Sequence, residues 1–111
     1  MGGKAASRLD RFREVYLPRF RERFGPCRVI LFGSWARGDA LVDSDLDLIV
    51  VSGAFQGLGF LERAIRVLEE TDLVLGADLL CYTPEEFERK RAEEGIVKTA
   101  VAEGIVLEPA A

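Results

Sequence analysis

Two groups of residues, falling between Gly33 and Val51, have the types and spacing for phosphate chemistry. Gly33-Ser34 follows the apolar run Val29-Ile30-Leu31-Phe32, and Asp45 and Asp47 lead into Leu48-Ile49-Val50-Val51. A glycine lets backbone approach a phosphate closely, and a helix opening at Ser34 would offer unpaired N–H groups to an anion. Ser34 can cap that helix and also present a hydroxyl. In an extended chain residues i and i+2 share a face, so Asp45 and Asp47 project together while Leu46, Leu48 and Val50 point the other way. Neighbouring carboxylates raise each other's pKa unless a cation neutralises them. A hard ion such as Mg²⁺ suits that charge, because it takes one or two carboxylates and completes its shell with water and phosphate oxygens.

Either half alone carries little, since Gly-Ser steps and Asp-x-Asp turns are common in solvated loops. Asp43, Asp45 and Asp47 also imitate the start of a calcium-binding loop. That reading fails because its sixth position would be Leu48 rather than glycine and its twelfth Ala54 rather than glutamate.

Taken together, the halves resemble a known signature. Gly33-Ser34, ten intervening residues and Asp45-x-Asp47, with Arg37-Gly38 inside and Ser44 just before, are similar to the pattern of the DNA polymerase beta-like nucleotidyltransferases. The wording Gly-Ser-Trp-Ala-Arg-Gly … Ser-Asp-Leu-Asp-Leu is most similar to the minimal nucleotidyltransferase branch, and the resemblance extends over about residues 26 to 107. It implies Mg²⁺-dependent transfer of a nucleoside monophosphate, AMP from ATP, to a hydroxyl. Asp45 and Asp47 would hold the metal, and Gly33, Ser34, Arg37 and Ser44 would face the nucleotide. A third carboxylate on a neighbouring strand would complete the metal site and accept the proton of the attacking hydroxyl.

Asp78 matches that third place. It enters the apolar run Leu79-Leu80-Cys81-Tyr82, where an acid needs a partner. Asp72 is the rival, at a helix end where an exposed charge needs no explanation. Arg37 can meet a triphosphate with its fork of donors, or it can pair with Asp39 or Asp43 and shape the loop. Trp35 reads as packing, with stacking on a base as the alternative.

These residues need elements to position them. From Ser7 to Phe24 apolar residues recur at the helical period, and Pro18 should kink or split that helix. Cys27 to Phe32 reads as a strand, Ser34 to about Ala40 as a short helix, and Asp45 to Val51 as a second strand. The glycine-rich segment from Ser52 to Gly59 is a connector or a lid. Phe60 to Leu73 reads as an amphipathic helix burying Leu61, Ala64, Ile65 and Leu68. Ala77 to Tyr82 is a third strand. Thr83-Pro84-Glu85-Glu86 is a helix start by its capping box, with helix to about Glu94 and again to Glu103. Ile105 to Leu107 is a last strand. The expectation is an α+β fold with a mixed, twisted sheet of about four strands and helices mainly on one face. Residues 1–111 form one domain, with a loose end at 1–6 and a tail at 108–111.

Composition narrows the rest. Apolar residues make up 49% of the chain, enough to fold without staples, and no apolar run approaches a membrane span. Cys27 and Cys81 have no metal or disulfide-framework spacing, and without a secretory signal the expectation is buried thiols in the cytoplasm. There is no histidine, which excludes histidine-based triads and metal sites. Residues 1–28 hold eight basic and three acidic side chains, a net of +5 against −4 for the whole chain. That excess reads as a solvated helix face, and no aromatic-interleaved basic strand supports general nucleic-acid binding.

At 111 residues the expectation is that the chain is too short to bring a substrate domain of its own. The resemblance implies an acceptor on a partner, a tyrosine of a HEPN-domain toxin, so that the protein would be the antitoxin of a toxin–antitoxin pair. Two other readings stand beside it. One is a non-catalytic module that binds nucleotide or neutralises its partner by contact. The other is a small-molecule nucleotidyltransferase that builds its acceptor site as a homodimer.

Overall fold

A computed structural model describes residues 7–109, so the loose end at 1–6 and residues 110–111 lie outside the described residues. The described residues begin with a helical arm. Ser7 caps α1 (Arg8–Arg11): its Oγ accepts from the Asp10 N–H at 3.0 Å, and its own N–H donates back to Asp10 at 3.2 Å. One wide π turn at Phe12–Tyr16 follows, then α2 (Leu17–Phe24). Pro18 sits in the first turn of α2, where its missing N–H costs nothing, and the Leu17 N–H reaches back to Phe12 O. The proline thus changes the hydrogen-bond register without ending the arm. Phe12, Tyr16, Leu17, Phe20 and Phe24 all turn inward.

The sheet has four strands: β1 (Cys27–Phe32), β2 (Leu46–Ser52), β3 (Ala77–Tyr82) and β4 (Ile105–Pro109), in the order β3-β2-β1-β4. β1 runs antiparallel to β2 and to β4, while β2 and β3 run parallel. The sheet is therefore mixed, as expected. β4 reaches Pro109, so residues expected in the tail extend the sheet instead.

Both faces are covered, unequally. The larger layer, on one face, is the N-terminal arm with α4 (Phe60–Thr71), packed on Val29, Leu31, Leu46, Leu48 and Val50. The smaller layer, α5 (Pro84–Ala92) and α6 (Ile96–Glu103), packs on Ile30, Ile49 and Val51. Thr83 starts α5 as expected, its Oγ accepting from the Glu86 N–H. β1 and β2 are buried on both sides, which is why they read as continuous apolar runs.

One expectation needs correction. α4 buries Arg63, Val67 and Thr71, whereas Leu61, Ile65 and Leu68 are exposed at 77%, 55% and 39%. Arg63 can go inside because its guanidinium donates to Cys81 O at 3.1 Å and Leu58 O at 2.9 Å and pairs with Glu86. Thr71 can because its hydroxyl donates to Val67 O at 2.7 Å. Of the two readings of the glycine-rich segment, the structure gives the connector. Ser52 ends β2 at the opposite pole from Asp47, a 3₁₀ turn follows at Gly53–Phe55, and Phe55 is buried in the core.

Candidate active site

The acids gather at the pole where β1 ends and β2 and β3 begin. Phe32 pairs with Asp47, and Asp47 pairs with Asp78 across the parallel strands. The register sets both aspartates side by side on the sheet face that carries α5 and α6. Their carboxyls are close enough for Asp78 to bear directly on the charge of Asp47. Asp47 is pushed above the ordinary carboxylate range, first by burial, then by Asp78 and by Asp45, with Arg37 opposing. Asp72 stands elsewhere, as the left-handed cap ending α4.

Gly33 follows Phe32 and adopts φ 73°, ψ −153°, a conformation essentially reserved for glycine. A methyl group built there would collide with Oδ2 of Asp47 and stand 3.0 Å from its Cγ. The turn and the acid therefore touch without a side chain between them. α3 (Ser34–Arg37) begins directly afterwards, with Ala36 and Arg37 N–H groups donating to Gly33 O. Ser34 is the first helical residue rather than the cap, a place Gly33 takes, and no side chain caps this helix.

Other expected residues are tied into the loop between α3 and β2. Ser44 Oγ accepts from the Leu41 N–H at 2.8 Å, and Trp35 Nε1 donates to Ser44 O at 2.8 Å. Trp35 packs against the core and braces the loop. Arg37 pairs with Asp39 at 3.3 Å on the surface, and it is also near enough to Asp47 to oppose the rise in its pKa. A cavity of about 250 Å³ opens beside Gly33, between Phe32, Arg37, Ile96, Thr99 and Glu103. A larger cavity, about 480 Å³, lies at the opposite pole around Phe24, Arg28, Ser52 and Phe87, away from the acids.

Asp45 departs from the expected pairing. β2 begins at Leu46, so the rule that i and i+2 share a face does not reach back to it. Its Oδ1 instead accepts from Arg8 of α1 at 3.3 Å. Gly76, clamped to the start of β2 by the Leu46 N–H to Gly76 O bond, lies against this pair. Among the described residues no three acidic or cysteine side chains stand close enough to hold one metal ion. Two of the three expected acids are together, and the third is engaged by an arginine. Arg8 and Gly76 were not singled out in the sequence. The only available signal was the basic excess before residue 28, which does not separate Arg8 from its neighbours.

Comparison with known proteins agrees with this geometry. The profile of the nucleotidyltransferase domain matches residues 14–107. The chain belongs to the nucleotidyltransferase domain family. A relative of this nucleotidyltransferase is the protein adenylyltransferase MntA of Thermococcus cleftensis, 34% identical over 85 residues that span 75% of this chain and 76% of the relative. The fold is shared with a protein assigned as a nucleotidyltransferase from Sulfolobus solfataricus, at a TM-score of 0.61, 20% identity and coverage of 96% and 89% of the two chains. It is also shared with a toxin–antitoxin structure with AMP-PNP, at a TM-score of 0.56, 19% identity and coverage of 88% and 73%. The nucleotidyltransferase is thus an enzyme of the adenylyltransferase-like kind, and no helix among its described residues is long and apolar enough to cross a membrane.

Proposed function

We propose that this enzyme transfers AMP from ATP to a hydroxyl group on a partner protein, with Asp45, Asp47 and Asp78 as its catalytic carboxylates. The observation that carries the reading is the Asp47–Asp78 pair in register beside Gly33. It joins an acid cluster to a turn where backbone is bare enough for a phosphate. Burial first, and then its acidic neighbours, hold Asp47 above its ordinary pKa, and the crowding of carboxylates fits a divalent cation with oxygen ligands. Asp45, Asp47 and Asp78 would hold Mg²⁺, which when bound would neutralise phosphate charge and lower the pKa of the acceptor hydroxyl. Gly33, Ser34 and Arg37 would receive the triphosphate, the first two through backbone N–H groups and the serine hydroxyl. Ser44 contributes by holding the loop that precedes Asp45.

In the reaction the acceptor oxygen bonds to the α-phosphorus. The bond from that phosphorus to the bridging oxygen breaks, and pyrophosphate leaves with the electron pair. Asp78 takes the hydroxyl proton. Positioning and charge stabilisation supply most of the catalysis, as in other phosphoryl transfers.

A protein acceptor is supported by the open pole around the acids, where Leu41, Val42 and Val74 are 71%, 85% and 79% exposed on the loops leading to β2 and β3. It is supported too by the relative named protein adenylyltransferase. The toxin–antitoxin neighbour supports a toxin as the partner. Its HEPN class, a tyrosine as acceptor and a cytoplasmic setting rest on the resemblance of the Gly33–Asp47 signature to the minimal nucleotidyltransferases. The test is incubation with α-labelled ATP and Mg²⁺, with and without the protein encoded by the neighbouring gene. Label on that protein, lost with Asp47→Asn, is the expected result. Label on RNA or a small molecule with the neighbour untouched would refute the protein acceptor.

A further inference from the structure

The Arg8–Asp45 ion pair has a structural setting that an incidental surface contact lacks. It joins the first residue of α1 to the residue preceding β2, 37 positions apart. Arg8 is fixed from behind by the Ser7 capping box, and its side chain is only 22% exposed. The partner surface is Gly76, where a methyl group would collide with Oδ1 of Asp45 and stand 2.6 Å from Nη1 of Arg8. The pair thus occupies a notch that only glycine leaves open. Its yield in stability is small, because Asp45 is 58% exposed and such pairs contribute little. Its effect falls on Asp45, whose Oδ1 it engages although the charge of Asp45 still reaches Asp47.

We propose that Arg8 is a positioning residue that holds Asp45 in the metal-free enzyme and competes with the metal ion for it. This rests on the metal-dependent reading above. The guanidinium supplies the positive charge at Asp45 that a divalent ion supplies when bound, so the two cations exclude or weaken one another there. The site stays quiet until the metal arrives, with or without nucleotide, and displaces Arg8.

The test is titration of nucleotide-free protein with Mn²⁺ alone, read as loss of the free-ion paramagnetic resonance signal, for wild type, Arg8→Gln, Arg8→Lys and Asp47→Asn. Arg8→Gln should bind Mn²⁺ roughly two- to fivefold more tightly, the scale of one exposed ion pair. Arg8→Lys, which keeps the charge, should stay near wild type. The gain should shrink as salt is raised, since salt screens the competing pair. Unchanged or weaker binding in Arg8→Gln, with a thermal midpoint like that of wild type, would overturn the proposal and leave the metal reading intact. Binding that Asp47→Asn does not weaken, or no binding in wild type and Arg8→Gln alike, would overturn both.

Discussion

Asp47 and Asp78 occupy matching positions on adjacent parallel strands, close enough for the Asp78 charge to raise the Asp47 pKa, with Gly33 pressed against Asp47. Burial and two acidic neighbours make the charged form of Asp47 unfavourable. Asparagine keeps the shape and offers an N–H donor to the Asp78 carboxylate while removing the charge. Asp47→Asn should therefore leave the thermal midpoint unchanged or raised, and reduce nucleotidyl transfer by at least about 100-fold, the scale of a lost catalytic group. A lowered midpoint would show that the acid is there to support the fold.

Gly33→Ala tests the turn. The backbone at φ 73°, ψ −153° costs other residues about 1–3 kcal/mol, and the added methyl must push Asp47 aside. The variant should be destabilised by that amount and lose transfer well beyond what the stability loss accounts for. Circular dichroism melts and labelling, run below the variant's midpoint, separate the two effects. Folded protein with wild-type rates would remove Gly33 from the site.

Much of this was legible in the sequence. β1 and β2 stood out because they are buried on both faces, and the Thr83-Pro84-Glu85-Glu86 start of α5 because its capping box is local. The acidic entry to β3 marked Asp78 because nothing else in that strand is charged. What escaped were features made by residues far apart in the chain. Arg8 meets Asp45 only after the arm packs on the sheet, and Gly76 matters only because they meet over it. Ser34 was misplaced by one residue because the helix takes a glycine rather than a serine as its cap.

Glu86 makes stability depend on pH at the acid end. Arg63 holds its carboxyl down to about 2, with the Thr83 backbone N–H assisting, against an ordinary value of 4.5. A depressed carboxylate contributes stability in full above the unfolded value, and loses it as pH falls through the folded one. Wild type should therefore lose stability between about pH 4.5 and 2, and the gap between wild type and Glu86→Gln should close over that window. Arg63→Ala should cost about 3 kcal/mol at neutral pH, because it also strips donors from Cys81 O and Leu58 O. Parallel acid curves for wild type and Glu86→Gln would refute this account.

The two sides of α4 give opposite predictions from similar residues. Counting apolar residues at the helical period selects Leu61, Ile65 and Leu68 as the inner stripe, yet the helix turns Arg63, Val67 and Thr71 inward. The error comes from treating polar residues as outward markers. Arg63 and Thr71 are buried because the fold satisfies their donors, and Val67 lies between them with no exposed surface. Ile65→Gln should then change stability by no more than about 0.5 kcal/mol, as surface substitutions do. Val67→Ala, which removes two methyl groups from the core, should cost about 2 kcal/mol. Urea melts of the two variants decide it: equal losses, or a larger one for Ile65→Gln, would mean that α4 buries the stripe suggested by its sequence.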